Sequence, residues 1–172
     1  MTTLDCAREL LSRGADPNII GSTGCNALVA AIATVKSDIL EYLELLIEYG
    51  AQLEPQLLFS AVAPRVPRGE VVTHFLLSRG MDPNTASAKW GTPLYHAVRT
   101  GNPGLVKALL DAGADPLARA TGTMIGSQTP LERAKRIMSD EGRSRVIELL
   151  QAAAYAPGRP SLLSLETGEN EG

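Results

Sequence analysis

Apolar residues recur along this chain in short bursts of helical spacing, each stopped by a glycine. Between Thr92 and Gly113, Leu94, Ala97 and Val98 fall at i, i+3 and i+4, and Val106, Leu109 and Leu110 repeat that spacing after the run Gly101-Asn102-Pro103-Gly104. Such spacing puts each set on one face of an α-helix. Thr92 is a helix-capping residue, and Pro93 suits the first helical position, where a missing amide donor has no intrahelical partner to lose. Gly113 stands where a left-handed C-terminal cap belongs. One unit is thus predicted as helix, turn, helix and extended link.

The ending of this unit occurs four times. Leu10-Leu11-Ser12-Arg13-Gly14-Ala15-Asp16-Pro17-Asn18, Leu46-Ile47-Glu48-Tyr49-Gly50-Ala51, Leu76-Leu77-Ser78-Arg79-Gly80-Met81-Asp82-Pro83-Asn84 and Leu109-Leu110-Asp111-Ala112-Gly113-Ala114-Asp115-Pro116 place their glycines 36, 30 and 33 residues apart. Recurrence at that interval marks a stacked repeat array. The same frame puts Asn26-Ala27-Leu28 and Ala31, then Leu58 and Ala61, then Thr129-Pro130-Leu131 and Ala134, in the slots of Thr92-Pro93-Leu94 and Ala97. In the last copy Val146, Leu149 and Leu150 form the second stripe, and Ala153 occupies the place of the closing glycine. Helices this short are marginal alone, so each unit must bury its apolar faces against its neighbours.

These residues resemble the ankyrin repeat, whose units read Gly-x-Thr-Pro-Leu-His-x-Ala and then Leu-Leu-x-x-Gly-Ala-Asp-x-Asn. Gly91-Thr92-Pro93-Leu94-Tyr95-His96-Ala97 followed by Leu109 to Asp115 matches best, and the resemblance covers roughly residues 3 to 154. It implies an all-α helix-turn-helix solenoid with short β-hairpin-like loops between repeats. The expected organisation is an array over 1–155, with a half repeat at 3–18 and repeats at about 22–54, 55–85, 88–118 and 125–154, then a flexible acidic tail over 156–172. Val29, Phe59, Tyr95 and Glu132 stand in the slot of the family's histidine, so the side-chain network built on that residue is absent or altered. Extra residues around Lys36-Ser37-Asp38 and the long stretch from Ala120 to Gln128 are expected in loops, where repeat proteins often bind.

Composition fits such a stack: 44% of the 172 residues are apolar and only 4% aromatic. The longest apolar stretch, around Ala27 to Val35, falls far short of the roughly 18 residues that span a bilayer. Met1-Thr2-Thr3-Leu4-Asp5 has no basic, apolar signal pattern, and two cysteines make no disulfide framework. The expectation is a soluble intracellular protein, cytoplasmic or nuclear, without membrane contact. Net charge is −3, yet residues 1 to 64 carry three basic and eight acidic side chains, while 65 to 158 carry twelve and eight. A pI near 5.4 argues against nucleic acid, whereas a polarised surface suits an oriented protein partner.

Catalytic chemistry is not expected. The two histidines, His74 and His96, have no clustered cysteines beside them, and Gly21-Ser22-Thr23-Gly24 lacks the Lys-Ser or Lys-Thr step of a phosphate loop. Cys25 near a hairpin tip leaves an atypical enzyme or small-molecule binder as a remote alternative. No cofactor or metal is expected.

Function then falls to surface. The resemblance implies a concave groove of hairpin tips and first-helix flanks that binds proteins. Its tips are Ser22, Thr23 and Cys25, then Ala88, Lys89 and Trp90, then Met124, Ile125, Ser127 and Gln128; its flanks are Ala33 and Thr34, Ala63 and Pro64, Arg99 and Thr100, Arg136 and Ile137. From these and the adjacent positions Arg65 and Tyr95, the candidate partner-binding residues are Arg65, Lys89, Trp90, Tyr95, Arg99, Thr100, Ile125, Gln128 and Arg136. Trp90 is the only tryptophan and a natural anchor, and arginines aligned across units favour an acidic partner segment. The expected role is a non-catalytic interaction module acting as adaptor, inhibitor or targeting subunit. Alternatively, the chain is a regulatory or sensor part of a larger enzyme or receptor. The opening stripe of Leu4, Ala7, Leu10 and Leu11 lacks a preceding first helix, so it is expected to belong to a longer array or to support self-association.

Overall fold

In the computed structural model, residues 3–120, 127–136 and 141–155 are described. Among them the helices are α1 Thr3–Ser12, α2 Ala27–Thr34, α3 Ile39–Glu48, α4 Gln56–Ala61, α5 Gly69–Ser78, α6 Pro93–Val98, α7 Pro103–Asp111, α8 Pro130–Arg136 and α9 Glu141–Ala154. They stack in two layers. In the inner layer α4 packs between α2 and α6, and α6 between α4 and α8; in the outer layer α7 packs between α5 and α9. The expected tail lies outside the described residues, as do Met124, Ile125 and Ile137.

Local chemistry accounts for each element. Asn26 caps α2 by accepting from the Val29 amide at 3.0 Å, and Thr92 caps α6 by accepting from Tyr95 at 3.2 Å. Asn102 accepts from both Gly104 and Leu105 to open α7. At α8 the cap is reciprocal: Thr129 accepts from the Glu132 amide at 3.2 Å, and the Glu132 carboxylate accepts from the Thr129 amide at 2.8 Å.

The recurrent ending is a paired C-terminal cap. Gly113 donates to the Leu110 carbonyl at 3.0 Å and Ala114 to that of Leu109 at 2.9 Å, with Gly113 at φ +90, a left-handed value that a Cβ disfavours. The same two bonds close α1, α3 and α5. Asp82 then turns the chain by accepting from the Asn84 amide at 2.8 Å, and Asp16 does the same for Asn18 at 2.9 Å.

Asn18 and Asn84 go further and stitch one unit to the next. The Asn84 side chain donates to the Gly113 carbonyl at 3.0 Å and accepts from the Asp115 amide at 2.8 Å; Asn18 does the same with Gly50 and Gln52, at 2.9 Å each. Glu54 and Leu117 hold the equivalent slots in the other two copies. The second stitch sits where the core changes over, from a cluster including Leu28, Leu43, Leu57 and Leu76 to one including Leu94, Val98, Leu109 and Leu150. Asn84→Ala strips both bonds at an exposed site and is expected to cost about 1 to 2 kcal/mol, read as a lower urea midpoint. A loss within error would show that apolar packing alone holds this junction.

At the first unit, Ala7 and Leu11 turn inward and Leu10 stays 61% exposed. A hollow of about 510 Å³ lies there between α1 and α2.

Candidate binding groove

The link after α5 folds into a tight hairpin. Ser87 and Gly91 exchange backbone hydrogen bonds at 2.8 Å each, and the Trp90 amide donates to the Ser87 carbonyl at 3.2 Å. The equivalent link after α7 pairs Ala120 with Gln128, the Ala120 amide donating at 2.9 Å. The hairpins lie so close that a Cβ on Gly91 would sit 2.6 Å from that of Ala120. This close approach sets Trp90 beside the next unit.

Trp90 keeps 38% of its surface exposed. Its ring lies 5.2 Å from that of His96, the Lys89 Nζ sits 4.8 Å from its centroid, and the Arg99 guanidinium stands 6.0 Å away. One side opens to a cavity of about 350 Å³, where Lys89, Arg99, Arg133 and Arg136 meet. Tyr95, His96 and Gln128 complete its wall. The other side opens to a hollow of about 710 Å³ running toward Phe59 and Pro55 on α4. Among the described residues, no carboxylate lines either space.

Buried polar atoms gather on the residues around the smaller cavity. Five buried side-chain polar atoms lack a hydrogen-bond partner among the described residues, and four belong to residues lining it: Tyr95 Oη, His96 Nδ1, Gln128 Oε1 and Arg133 Nε. Burying such a group unsatisfied costs roughly 1 to 3 kcal/mol. Arg133 also places its guanidinium 6.0 Å from the Tyr95 ring. Outside the cavity, the amide of Thr129 and then the charge of Arg119 hold the Glu132 carboxyl below its usual range.

Burial, and then the charge of Arg99, lower the His96 pKa from 6.5 to about 4. The other charged groups lining its cavities, Lys89, Arg133 and Arg136, are also cations. The unfolded chain therefore takes up this proton first. Stability from neutral His96 is complete above about pH 6.5 and is lost as the pH falls toward 4, at about 1 kcal/mol per pH unit. Urea titrations of the parent and of His96→Gln between pH 7 and 4.5 are expected to show a shallower fall in the variant; parallel curves would contradict it.

The candidate residues divide by location. Lys89, Trp90, Arg99, Gln128 and Arg136 converge on the small cavity. Tyr95 is corrected: it is only 1% exposed, because all six residues of α6 are buried, and its ring is wall rather than open surface. Arg65 and Thr100 are also corrected. They line a separate cavity of about 200 Å³ at the turns between paired helices, where Arg65 has φ +69. The Thr100 hydroxyl donates to the Ala97 carbonyl at 2.7 Å, and Arg65 sits in a turn, residues 62–68, longer than that following α6. Ile125 lies outside the described residues. Sequence reasoning left out Arg133, although its i, i+3 spacing from Arg136 places both on one helix face, and it gave His96 no part in the groove.

A profile of the family described as Ankyrin repeat matches residues 91–121, the span from the hairpin glycine through α6 and α7 to the next hairpin. The structure resembles the ankyrin repeat domain of Bcl-3, a member of the IkappaB protein family, with a TM-score of 0.69 at 23% identity over 88% of this chain and 65% of that one. The chain has the ankyrin-repeat fold. The chain is 42% identical over 62 residues to the 2-5A-dependent ribonuclease of Mus musculus, a stretch that is 35% of this chain and 8% of that protein. It is 36% identical over 84 residues to the glycerophosphocholine phosphodiesterase gde1 of Schizosaccharomyces pombe, 49% of this chain and 7% of that protein. Ankyrin repeats are generally protein-interaction modules. Among the described residues of the array, no helix is long and apolar enough to cross a membrane, and no group of three or more His, Cys, Asp or Glu side chains is placed to hold a metal ion.

Proposed function

We propose that this array is a non-catalytic interaction module inside the cell whose groove binds an acidic segment of a partner protein. One observation carries the reading: Lys89, Arg99, Arg133 and Arg136 line one cavity with a half-exposed Trp90, and among the described residues no lining carboxylate neutralises them. Guanidinium groups bind carboxylates through paired hydrogen bonds, and an indole desolvates a large area with few rotors. The bound segment lies along both hollows, with Trp90 between them.

Selection from a random-peptide display library tests this directly. Enriched peptides are expected to be acidic, and the double substitution Arg99→Glu with Arg136→Glu is expected to weaken them at least about tenfold and flatten their salt dependence. Enrichment without acidic bias, or binding unchanged in the double variant, would remove the reading.

A second reading has one observation in its favour. The similar stretches make up 8% and 7% of the two curated relatives, so in each a short segment of this kind belongs to a much larger protein. On that reading the array serves as a regulatory segment. Co-purification from native cells of a longer chain containing this sequence would support it.

A further inference from the structure

We propose that the cavity between Trp90 and Arg133 reads a phosphoryl group carried on a side chain of the bound segment. The proposal rests on the acidic-segment reading and sharpens it to one modified residue. Charge is the first argument. Three guanidinium groups and one ammonium line the cavity and, among the described residues, no carboxylate does, so a single carboxylate would leave most of that charge unanswered. A phosphoryl monoester brings a charge of about −1.5 to −2 and three acceptor oxygens.

The second argument is independent of charge. Tyr95 and His96 are both more than nine-tenths buried, line this cavity, and carry Oη and Nδ1 atoms without a hydrogen-bond partner among the described residues. The Arg133 Nε is a third unanswered atom, and the Gln128 amide a fourth. Tyr95 Oη and Arg133 Nε are donors; neutral His96 donates from Nδ1 in one tautomer, and the Gln128 amide donates once rotated. A tetrahedral anion with three acceptors can answer several such donors together, which a planar carboxylate with two oxygens does less completely. Arg99 and Arg136, which also line the cavity, are exposed to solvent.

Trp90 is the only tryptophan, so its emission reports this cavity without a label. An acidic library-selected peptide, the same peptide with one glutamate replaced by phosphoserine or phosphotyrosine, and phenyl phosphate are each titrated at constant ionic strength. The phosphopeptide is expected to bind about tenfold tighter than its glutamate parent. Tyr95→Phe should erase most of that preference while leaving the parent peptide within about twofold, and Arg133→Gln, which removes a cation that both peptides use, should weaken the phosphopeptide more than the parent. Tyr95→Phe keeps the buried ring, and unchanged thermal melting confirms its fold. Equal affinity for both peptides, or a preference retained in both variants, would overturn the proposal. Phenyl phosphate binding as tightly as the phosphopeptide would overturn the peptide as the source and assign the cavity to a free phosphate ester. A library without acidic enrichment sinks the groove reading instead, and the phenyl phosphate titration still reports on the cavity.

Discussion

Leu109→Ala is expected to destabilise the array by about 2 to 5 kcal/mol, the range for truncating a fully buried leucine where the surroundings relax only in part. Leu109 has no exposed surface and belongs to the cluster that includes Leu94, Val106, Val146 and Leu150. Three packing relationships meet at its helix, since α7 lies against α5, α6 and α9. Its carbonyl also accepts the Ala114 amide that closes the cap, so the residue anchors a helix end as well as a core. Urea unfolding followed by far-ultraviolet circular dichroism should show a lower midpoint. A cost below about 1 kcal/mol would mean that α7 is not wedged between its neighbours. Leu110→Ala, at a half-buried position, supplies the comparison and should cost less.

Gly91→Ala is expected to cost about 2 to 4 kcal/mol for two separate reasons. The backbone there is left-handed at φ +73, which an L side chain occupies at a cost of roughly 1 to 2 kcal/mol. The added methyl would also stand 2.6 Å from the Ala120 Cβ and 3.3 Å from its Cα. Ala120 is tied to Gln128 through its amide, so it yields only by moving the next hairpin, and such overpacking typically costs a further 1 to 3 kcal/mol. Because Gly91 follows Trp90, the variant should also shift tryptophan emission. Gly104→Ala separates crowding in general from this case. The nearest atoms that a methyl there would meet are those of the Glu70 carboxylate, a flexible side-chain end that can turn to solvent, so little or no destabilisation is expected. Equal losses in the two variants would contradict the claim that Gly91 is held between hairpins.

Much of the fold was legible because its signals act over a few residues. Thr92 and Asn102 cap the helices that follow them, and the Leu-Leu to Gly-Ala ending corresponds to two hydrogen bonds that close within one turn. The Asp-Pro-Asn triplets were visible as repetition, but their work was hidden. Asn84 turns locally on Asp82, yet its side chain bonds residues 29 and 31 positions away, a distance at which pattern alone carries no information.

The groove was legible in part. Lys89, Trp90, Arg99 and Arg136 follow from equivalent slots in successive units, and they do meet. Arg65 fails because the longer turn after α4 breaks that equivalence. Tyr95 lies in the cavity wall and not on an open flank, because a first helix of six residues is packed between α4, α7 and α8.

Because caps, breakers and periodicity are short-range properties, the sequence already marked the starts of α2, α6 and α8, the glycine ends of α1, α3, α5 and α7, the repetition of the units, and which positions within a unit are apolar. Only the tertiary structure decided which side chains share a space. Arg133 and Arg136 reach Trp90 because neighbouring units stack side by side, their separation set by the contact of Gly91 with Ala120, and that contact depends on the packing of the whole pair of units.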